Sequence, residues 1–479
     1  MSRHSSESQC PGCAPRPRSR RDVLKYASNG FGLMALSALM SDKAYADLAA
    51  PKLHFEPKIK NVIFCFMPGA VSHVDTFDPK PKLAELDGKP FDGFYQVGAK
   101  KETNRKWVKS PWQFKQHGQS GIWLSELFPN LAGCVDDITV IRSMVSGFPL
   151  HPRANLLMHT GRNTGGFPSL GSWVNYALGS ENKNLPGYVL LHAGAVPPGG
   201  LENFSNGFLP ATYQATPMQA DGKPVVNIEP ADKDPLIQRA KLDVLLQEDR
   251  QFLQSIRNDD AVESAIQNYE MAYKMQSVVP DVLNLDKESE ATKNLYGLDA
   301  ADKNKRLYSM QCLRARRLIE AGVRFVEITC PEVYGGNNGT WDQHTELKKG
   351  HEGNALITDQ GIAALLKDLK SRGLLKETLV VWATEFGRTP HGPKPDCRDH
   401  HETAFTVWMA GGGLKSGLVY GATDEVGMHS VENVTEVFDL HATILQLLGL
   451  DHKKLTYRFG GRDVSLTDVH GHVIRGILA

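Results

Sequence analysis

The sequence predicts an α/β protein built on a central, mostly parallel sheet with helices on both of its faces. Three observations carry that expectation. Short apolar runs without polar alternation recur along the chain, as strands buried on both faces require. Longer stretches with helical spacing lie between them, and strands alternating with helices imply a parallel or mixed sheet. The 44 Gly and 27 Pro supply the turns that such a chain needs at its element ends.

In chain order, the first segment reads as an address rather than a part of the fold. Residues 1–21 are polar and basic, and Ser19-Arg20-Arg21-Asp22-Val23-Leu24-Lys25 is close to the twin-arginine pattern, with Val23 where Phe is commoner. Residues 26–40 are modestly apolar and interrupted by Ser28, Asn29, Gly30 and Gly32. That run falls short of the roughly 20 apolar residues of a membrane span. Ala44-Tyr45-Ala46 is a small-x-small cleavage site. The expectation is a twin-arginine signal peptide over 1–46 and a mature domain over 47–479, exported to the periplasm or the cell surface. The twin-arginine translocase would be its partner during export, and the mature chain would carry no transmembrane span. That route carries folded proteins and suits one that acquires a metal beforehand.

The mature chain then supplies the elements. Asn61 to Met67 is a mostly apolar run closed by Pro68-Gly69, the first central strand. Ile138 to Ile141 and Gly187 to Leu191 read the same way. From 234 to 273 the pattern is long, charged and helical, with Pro235 suited to a first turn and apolar positions at Leu242, Val244, Leu245, Leu246, Phe252 and Leu253. This is read as a helical insertion near 234–300 that caps or crosses the main domain. Residues 306–321 form an amphipathic helix stopped by Gly322, and 323–328 a strand. A helix over 357–372 ends at Gly373, a C-terminal cap. Strands over 378–383 and 405–410 follow, the second closed by Gly411-Gly412-Gly413, and 439–448 is the last helix.

Bulk properties exclude some partners. Lys plus Arg and Asp plus Glu both number 54, so no basic excess draws the chain to nucleic acid. Seven Cys are present; Cys10 and Cys13 fall in the expected signal, and the other five are odd in number and widely spaced, which is no disulfide framework. Cys65, inside an apolar run, is the expected buried free thiol.

Ligands in such sheets bind beyond the carboxyl ends of the strands, so polar clusters beside strands are the candidate site. Four exist: Ser72-His73-Val74-Asp75-Thr76-Phe77-Asp78, Trp341-Asp342-Gln343-His344, Thr384-Glu385-Phe386-Gly387-Arg388 and Arg398-Asp399-His400-His401-Glu402. Imidazoles and carboxylates are the ligands that zinc or manganese accept, and carboxylates alone suit calcium. Arg388 could hold an anion by a bidentate contact. Each cluster also has a purely structural reading. Asp78 before Pro79 starts a turn, His73 and Asp75 bond within a loop, Asp342 and His344 lie on a surface loop, and Glu385 pairs only with Arg388. Adjacent His400-His401 fits a structural role least well.

At these residues the chain resembles the secreted domain-of-unknown-function 1501 family. The resemblance rests on Ser-His-x-Asp-Thr-Phe-Asp-Pro-Lys-Pro, Trp-Asp-x-His, Thr-Glu-Phe-Gly-Arg-Thr-Pro and Arg-Asp-His-His in that order. Gly207-Phe-Leu-Pro-Ala-Thr-Tyr-Gln214 and the stretch from Arg316 to Glu327 add to it, and it covers about 60 to 475. That family is similar to the alkaline-phosphatase and sulfatase superfamily. The similarity implies a three-layer αβα fold, a divalent metal ion (zinc, calcium or manganese) and hydrolysis of sulfate or phosphate esters, with sulfated polysaccharide among the anionic substrates.

Carried over residue by residue, the resemblance implies metal ligation by His400, which precedes a strand ending in Gly411, and by Glu385, Asp342 and His344. His73 and Asp75 are further metal candidates, and Arg388 and Arg153 would bind the anion. The superfamily's Asp-His-Gly is Glu385-Phe386-Gly387 here, so Phe386 cannot ligate. The formylglycine motif Cys-x-Pro-x-Arg does not occur. In the comparable segment, Ser146 to Ala154, His151 stands nearest to a nucleophile, as a ligand, a base or the attacking group. The rival reading from another class is a non-catalytic exported binding protein that keeps the fold.

Overall fold

The computed structural model describes residues 53–479 apart from 94, 98–99, 103, 195, 223, 226–227, 231–233, 256–259 and 332–340. The expected signal peptide over 1–46, with Cys10 and Cys13, lies outside the described residues.

The sheet has nine strands: β1 (Asn61–Phe66), β2 (Ile138–Val145), β3 (Tyr188–His192), β4 (Thr216–Gln219), β5 (Phe325–Thr329), β6 (Thr378–Ala383), β7 (Phe405–Gly411), β8 (Leu418–Tyr420) and β9 (Thr435–Glu436). Their order is β8-β2-β7-β6-β1-β5-β3-β4, with β9 also paired to β2. Only β7 runs against the rest; every other pairing is parallel. β1 lies at the centre, with Val62 opposite both Phe325 and Leu379.

The continuous apolar run of β1 divides by strand alternation. Val62, Phe64 and Phe66 enter one core and Ile63, Cys65 and Met67 the other, all essentially inaccessible. Burying each such large apolar side chain contributes about 1.5–3 kcal/mol. On the first face the core is completed by α1 (His151–Thr160), α2 (Leu170–Leu178) and α7 (Val437–Leu447), through Leu157, Met158, Trp173, Leu440 and Ile444. On the second face it is completed by α5 (Lys303–Glu320) and α6 (Leu347–Ser371), through Tyr308, Leu313, Leu318, Ile357 and Leu365. The architecture is therefore three-layered, helix on sheet on helix, with a mostly parallel sheet.

The long helical stretch is two helices, α3 (Pro235–Ser255) and α4 (Asp260–Val282). The helix expected from 357 begins at Leu347, ten residues earlier. Its first turns hold Gly350 and Gly353, poor helix formers by themselves. Tertiary packing fixes them: a Cβ at Gly350 would lie 2.2 Å from the Gln343 side chain, and buried His351 packs on Trp341 and Trp112. The edge strands β4, β8 and β9 were not expected; β4 carries Pro217, which an edge position tolerates.

Cys65, Cys134, Cys312, Cys330 and Cys397 are all free and buried, and burial pushes the Cys65 thiol up to about 12. Among the described residues no helix is long and apolar enough to cross a membrane.

Candidate metal centre

The loops that leave β1, β2, β5 and β6 and the segment that enters the reversed β7 meet at one edge of the sheet. Directly after β6, Glu385 is fully buried. Its Oε1 accepts the backbone N–H of Gly69 at 2.8 Å, in the turn after β1, and lies 2.6 Å from His151 Nδ1. Gly69 has φ of 108°, a conformation that favours glycine, and the turn brings the β1 backbone to the carboxylate. His151 is the first residue of α1, followed by Pro152, which is tolerated in a first turn.

Three imidazoles converge on one carboxylate oxygen. Asp342 Oδ1 lies 3.1 Å from His151 Nε2, 3.2 Å from His344 Nε2 and 3.3 Å from His400 Nε2. His344 Nε2 and His400 Nε2 are 2.9 Å apart. Each ring is held from behind through its other nitrogen: His151 Nδ1 by Glu385, His344 Nδ1 by Asp399 Oδ1 at 2.8 Å, and His400 Nδ1 by the carbonyl of Pro149 at 2.7 Å. Those acceptors place the proton on Nδ1 and leave the Nε2 lone pairs facing inward, the arrangement by which outer carboxylates and carbonyls orient metal-binding histidines.

Local pairing decides which member of His400-His401 faces the centre. Gly387-Arg388 forms a short antiparallel ladder with His400-His401, with Arg388 opposite His400. Neighbouring strand residues point to opposite sides. His400 therefore faces Asp342, while His401 Nε2 bonds the Met428 carbonyl and its ring lies beside His73. Phe386 packs against the rings of His151 and His400, with centroids 4.8 and 4.9 Å away.

The electrostatics follow from these contacts. Burial opposes protonation of His151, but its bonds to Asp342 and Glu385 raise its pKa. Bonds to Asp342 and Asp399 raise that of His344. Burial dominates at His400 and lowers it to about 4. Burial works against the Asp342 carboxylate, yet the three histidines and Arg388 hold its pKa far below the ordinary range. Asp399 falls to about 2 against the burial penalty, through His344 and Arg105.

This donor set fits a divalent cation. Among the described residues, His151, Asp342 and His400 form the group whose ligand atoms lie within 4.8 Å of one another; His344 Nε2, outside that group, lies 3.2 Å from Asp342 Oδ1 and 2.9 Å from His400 Nε2. Inward lone pairs around a carboxylate repel unless a cation or shared protons lie between them, and His151 Nε2 is buried without a well-formed hydrogen bond. Arg388 supplies some positive charge: its Nη2 is 2.6 Å from Asp342 Oδ1 and from the Gly69 carbonyl, and its Nε bonds the Ala70 carbonyl. Its Nη1 is buried and unpartnered.

The structure thus brings together His151, Asp342, His344, Glu385, Arg388 and His400 from four distant parts of the sequence. Glu385 stands behind His151. His73 and Asp75, on a single helical turn, are seated elsewhere: His73 Nε2 faces the Gly427 carbonyl at 2.9 Å, and Asp75 pairs with Arg398 at 2.6 and 3.1 Å. Arg153 is exposed on the first turn of α1. Sequence reasoning passed over two participants. Asp399 stood inside a quoted cluster without a role. Arg105, which bonds Asp399 at 2.6 Å and His391 Nδ1 at 2.8 Å, gave no sequence signal.

No curated protein matches the sequence. Among solved structures, similarity extends to the sulfatase PsFucS1 from Pseudoalteromonas sp., at 13% identity over 82% of this chain and 68% of that one, with a TM-score of 0.34. It extends to the alkaline phosphatase of the Antarctic bacterium TAB5, at 9% identity over 76% and 94%, with a TM-score of 0.34. It also extends to the C-terminal periplasmic domain of EcEptC from Escherichia coli in complex with Zn, at 11% identity over 85% and 88%, with a TM-score of 0.36. The family model described as "Protein of unknown function (DUF1501)" matches residues 59–478, and the chain belongs to that family.

Proposed function

We propose that the protein is an exported, metal-dependent hydrolase of sulfate or phosphate esters. The observation that carries this reading is the convergence of three Nε2 atoms on Asp342 Oδ1, each imidazole held in the matching tautomer from behind. His151, Asp342, His344 and His400 would hold the ion, and three nitrogen donors suit zinc or manganese better than calcium. A divalent ion bound there would polarise an ester oxygen and lower the pKa of water.

The chain's own residues supply the remaining parts. Glu385 keeps the proton of His151 on Nδ1. With Nδ1 held by Glu385, the Nε2 lone pair of His151 is directed at the Asp342 carboxylate among the other candidate ligands, which favours a ligand role over that of a covalent nucleophile and leaves water as the attacking group. The unpartnered Nη1 of Arg388 offers a fixed donor to an anion, and Arg153, exposed two residues after His151 on α1, is the second candidate cation for that anion. Residues 1–46 would direct export, with cleavage after Ala46 read out as the N-terminal mass of the extracytoplasmic protein.

One observation favours a second reading, a non-catalytic exported binding protein. Arg388 Nη2 already lies 2.6 Å from Asp342 Oδ1, where a guanidinium compensates the carboxylate without an ion. Metal analysis of the purified mature chain, residues 47–479, beside His400→Ala separates the two. Stoichiometric metal in the former and its loss in the latter support the hydrolase, to be followed by aryl phosphate, aryl sulfate and sulfated polysaccharide substrates. A metal-free protein after reconstitution with zinc, manganese and calcium overturns it and leaves the binding reading.

A further inference from the structure

A cavity of about 620 Å³ is walled by the segment between α2 and β3, by the chain that enters β4 and by α4. Gly187, just before β3, and Thr216, which opens β4, line it, and both strands run parallel to β1 and β5. The cavity therefore lies at the amino ends of the strands, whereas the candidate metal centre lies at the carboxyl ends of β1 and β5. Its volume is that of a small-molecule site, about 300–1,000 Å³.

The lining is cationic and rich in hydrogen-bonding groups. Among the described residues Lys183 and Lys274 line the cavity, and no Asp or Glu does. Neither lysine has an ion-pair partner among the described residues. The nearest acids in sequence are engaged elsewhere, Glu181 with Arg324 at 2.8 Å and Glu270 with Arg239 at 3.2 Å. Asn175 also lines the cavity and is only 7% exposed, yet its side-chain amide has no hydrogen-bond partner among the described residues. A buried amide is ordinarily satisfied, so a ligand or water completes it.

A row of rings leads from the surface to this cavity. Phe459 is 49% exposed on a hairpin of Tyr457–Phe459 and Arg462–Val464, and it stacks on Phe208 with ring centroids 4.5 Å apart. Phe208 stacks on Tyr457 at 5.9 Å, Tyr457 meets Tyr176 edge-on at 5.7 Å, and Tyr176 meets Tyr213 edge-on at 5.4 Å. Tyr213 lines the cavity. None of the three tyrosine hydroxyls has a hydrogen-bond partner among the described residues. Burial raises the pKa of Tyr176 and Tyr213, so both remain O–H donors.

We propose that the cavity and its row of rings bind an acidic oligosaccharide. The C–H face of a sugar ring packs on aromatic rings, and its hydroxyls pair with the Asn175 amide and the tyrosine hydroxyls. Its sulfate or carboxylate groups meet Lys183 and Lys274. A single-stranded nucleic acid also stacks on rings, but it carries a charge on every residue and requires a continuous cationic groove. Here the basic residues beside the rings are already neutralised: Arg458 by Asp463 at 3.3 Å, Arg462 by Asp468 at 3.2 Å and Arg162 by Asp468 at 3.0 Å. The site uses no metal, so it stands whether or not the histidine centre hydrolyses esters.

Isothermal titration calorimetry of the mature chain, residues 47–479, tests it with short oligomers of dextran sulfate, unsulfated dextran, oligogalacturonate and oligo-dT. Dextran sulfate or oligogalacturonate is expected to bind at least about tenfold more tightly than dextran. Whichever of the two binds identifies the anion as a sulfate ester or a carboxylate. Lys183→Gln/Lys274→Gln should weaken that binding about tenfold and Phe459→Ala about fivefold. All three side chains are exposed, so these variants keep the fold. His400→Ala should bind as the unmutated chain does, because the cavity lies at the other edge of the sheet. Acidic saccharides that bind no more tightly than dextran, oligo-dT that binds as tightly as they do, or binding lost in His400→Ala but kept in the lysine variant would each overturn the proposal.

Discussion

His344 Nε2 and His400 Nε2 face each other at 2.9 Å although both rings are already bonded through Nδ1, His344 to Asp399 and His400 to the Pro149 carbonyl. With His400 lowered to about 4 and His344 raised, the proton between them belongs to His344. An ion entering the centre displaces that proton. The proposed metal affinity therefore falls as pH falls from about 8 to 6. Competition titration with a chromophoric chelator at each pH checks this; affinity independent of pH would contradict it.

Asp399 sets the orientation of His344, and Arg105 in turn holds Asp399. Asp399→Asn keeps the shape but weakens the acceptor. The expected outcome is a metal affinity lower by about 10- to 100-fold, with stoichiometry preserved at saturating metal. The same titration reads it, and an unchanged affinity would remove Asp399 from the centre.

Asp75 and Arg398 form a fully buried ion pair apart from the histidine cluster. Arg398→Ala leaves the Asp75 carboxylate buried and uncompensated, which costs about 3–5 kcal/mol in denaturant unfolding. The folded fraction should still bind metal, as should Asp75→Asn. Loss of metal in a folded Asp75→Asn protein would instead place Asp75 among the ligands.

His159, Glu327 and Tyr188 make a second buried cluster, with His159 Nε2 2.7 Å and the Tyr188 hydroxyl 2.8 Å from the two Glu327 oxygens. Burial opposes the His159 charge, but Glu327 and the Asn155 carbonyl raise its pKa above the ordinary value. A raised folded pKa gives stability that is complete below the unfolded value of about 6.5 and disappears as pH rises through the folded value. The stability difference between the unmutated protein and His159→Gln should therefore shrink as pH rises from about 6 to 9. Denaturant unfolding across that range measures it, and a difference that grows with pH would reverse the assignment.

Gly411 ends β7 with φ of 125°, and a Cβ there would lie 1.9 Å from the Thr378 carbonyl oxygen. Neither the conformation nor the space admits a side chain. Gly411→Ala should lower stability by more than about 1 kcal/mol, seen as a lower melting temperature. A melting temperature equal to that of the unmutated protein would mean that the strand end can shift.

The layered fold was legible because its signals are local. The runs at 61–67, 378–383 and 405–410 are apolar at every position that the two cores need, and Gly322, Gly373 and Gly411 mark element ends where the chain turns. The start of α6 was not legible. Gly350 and Gly353 weaken the local helical signal, and only the packing of His351 against Trp341 and Trp112 holds that turn.

The sequence by itself determined the α/β class, the positions of the central strands, the buried free thiol of Cys65 and the four polar clusters beside the sheet edge. Only the tertiary structure decided which donor atoms share one point. His151, Asp342 and His400 lie in separate segments, and no local periodicity records that their atoms meet. The antiparallel pairing of Arg388 with His400 turned His400 rather than His401 toward Asp342. The Gly69 amide fixed Glu385 behind His151. Arg398 drew Asp75 into a buried ion pair. The other outcomes depend on which partner satisfies a buried polar group, and for Glu385 and Asp75 that partner is supplied by chain more than 300 residues away.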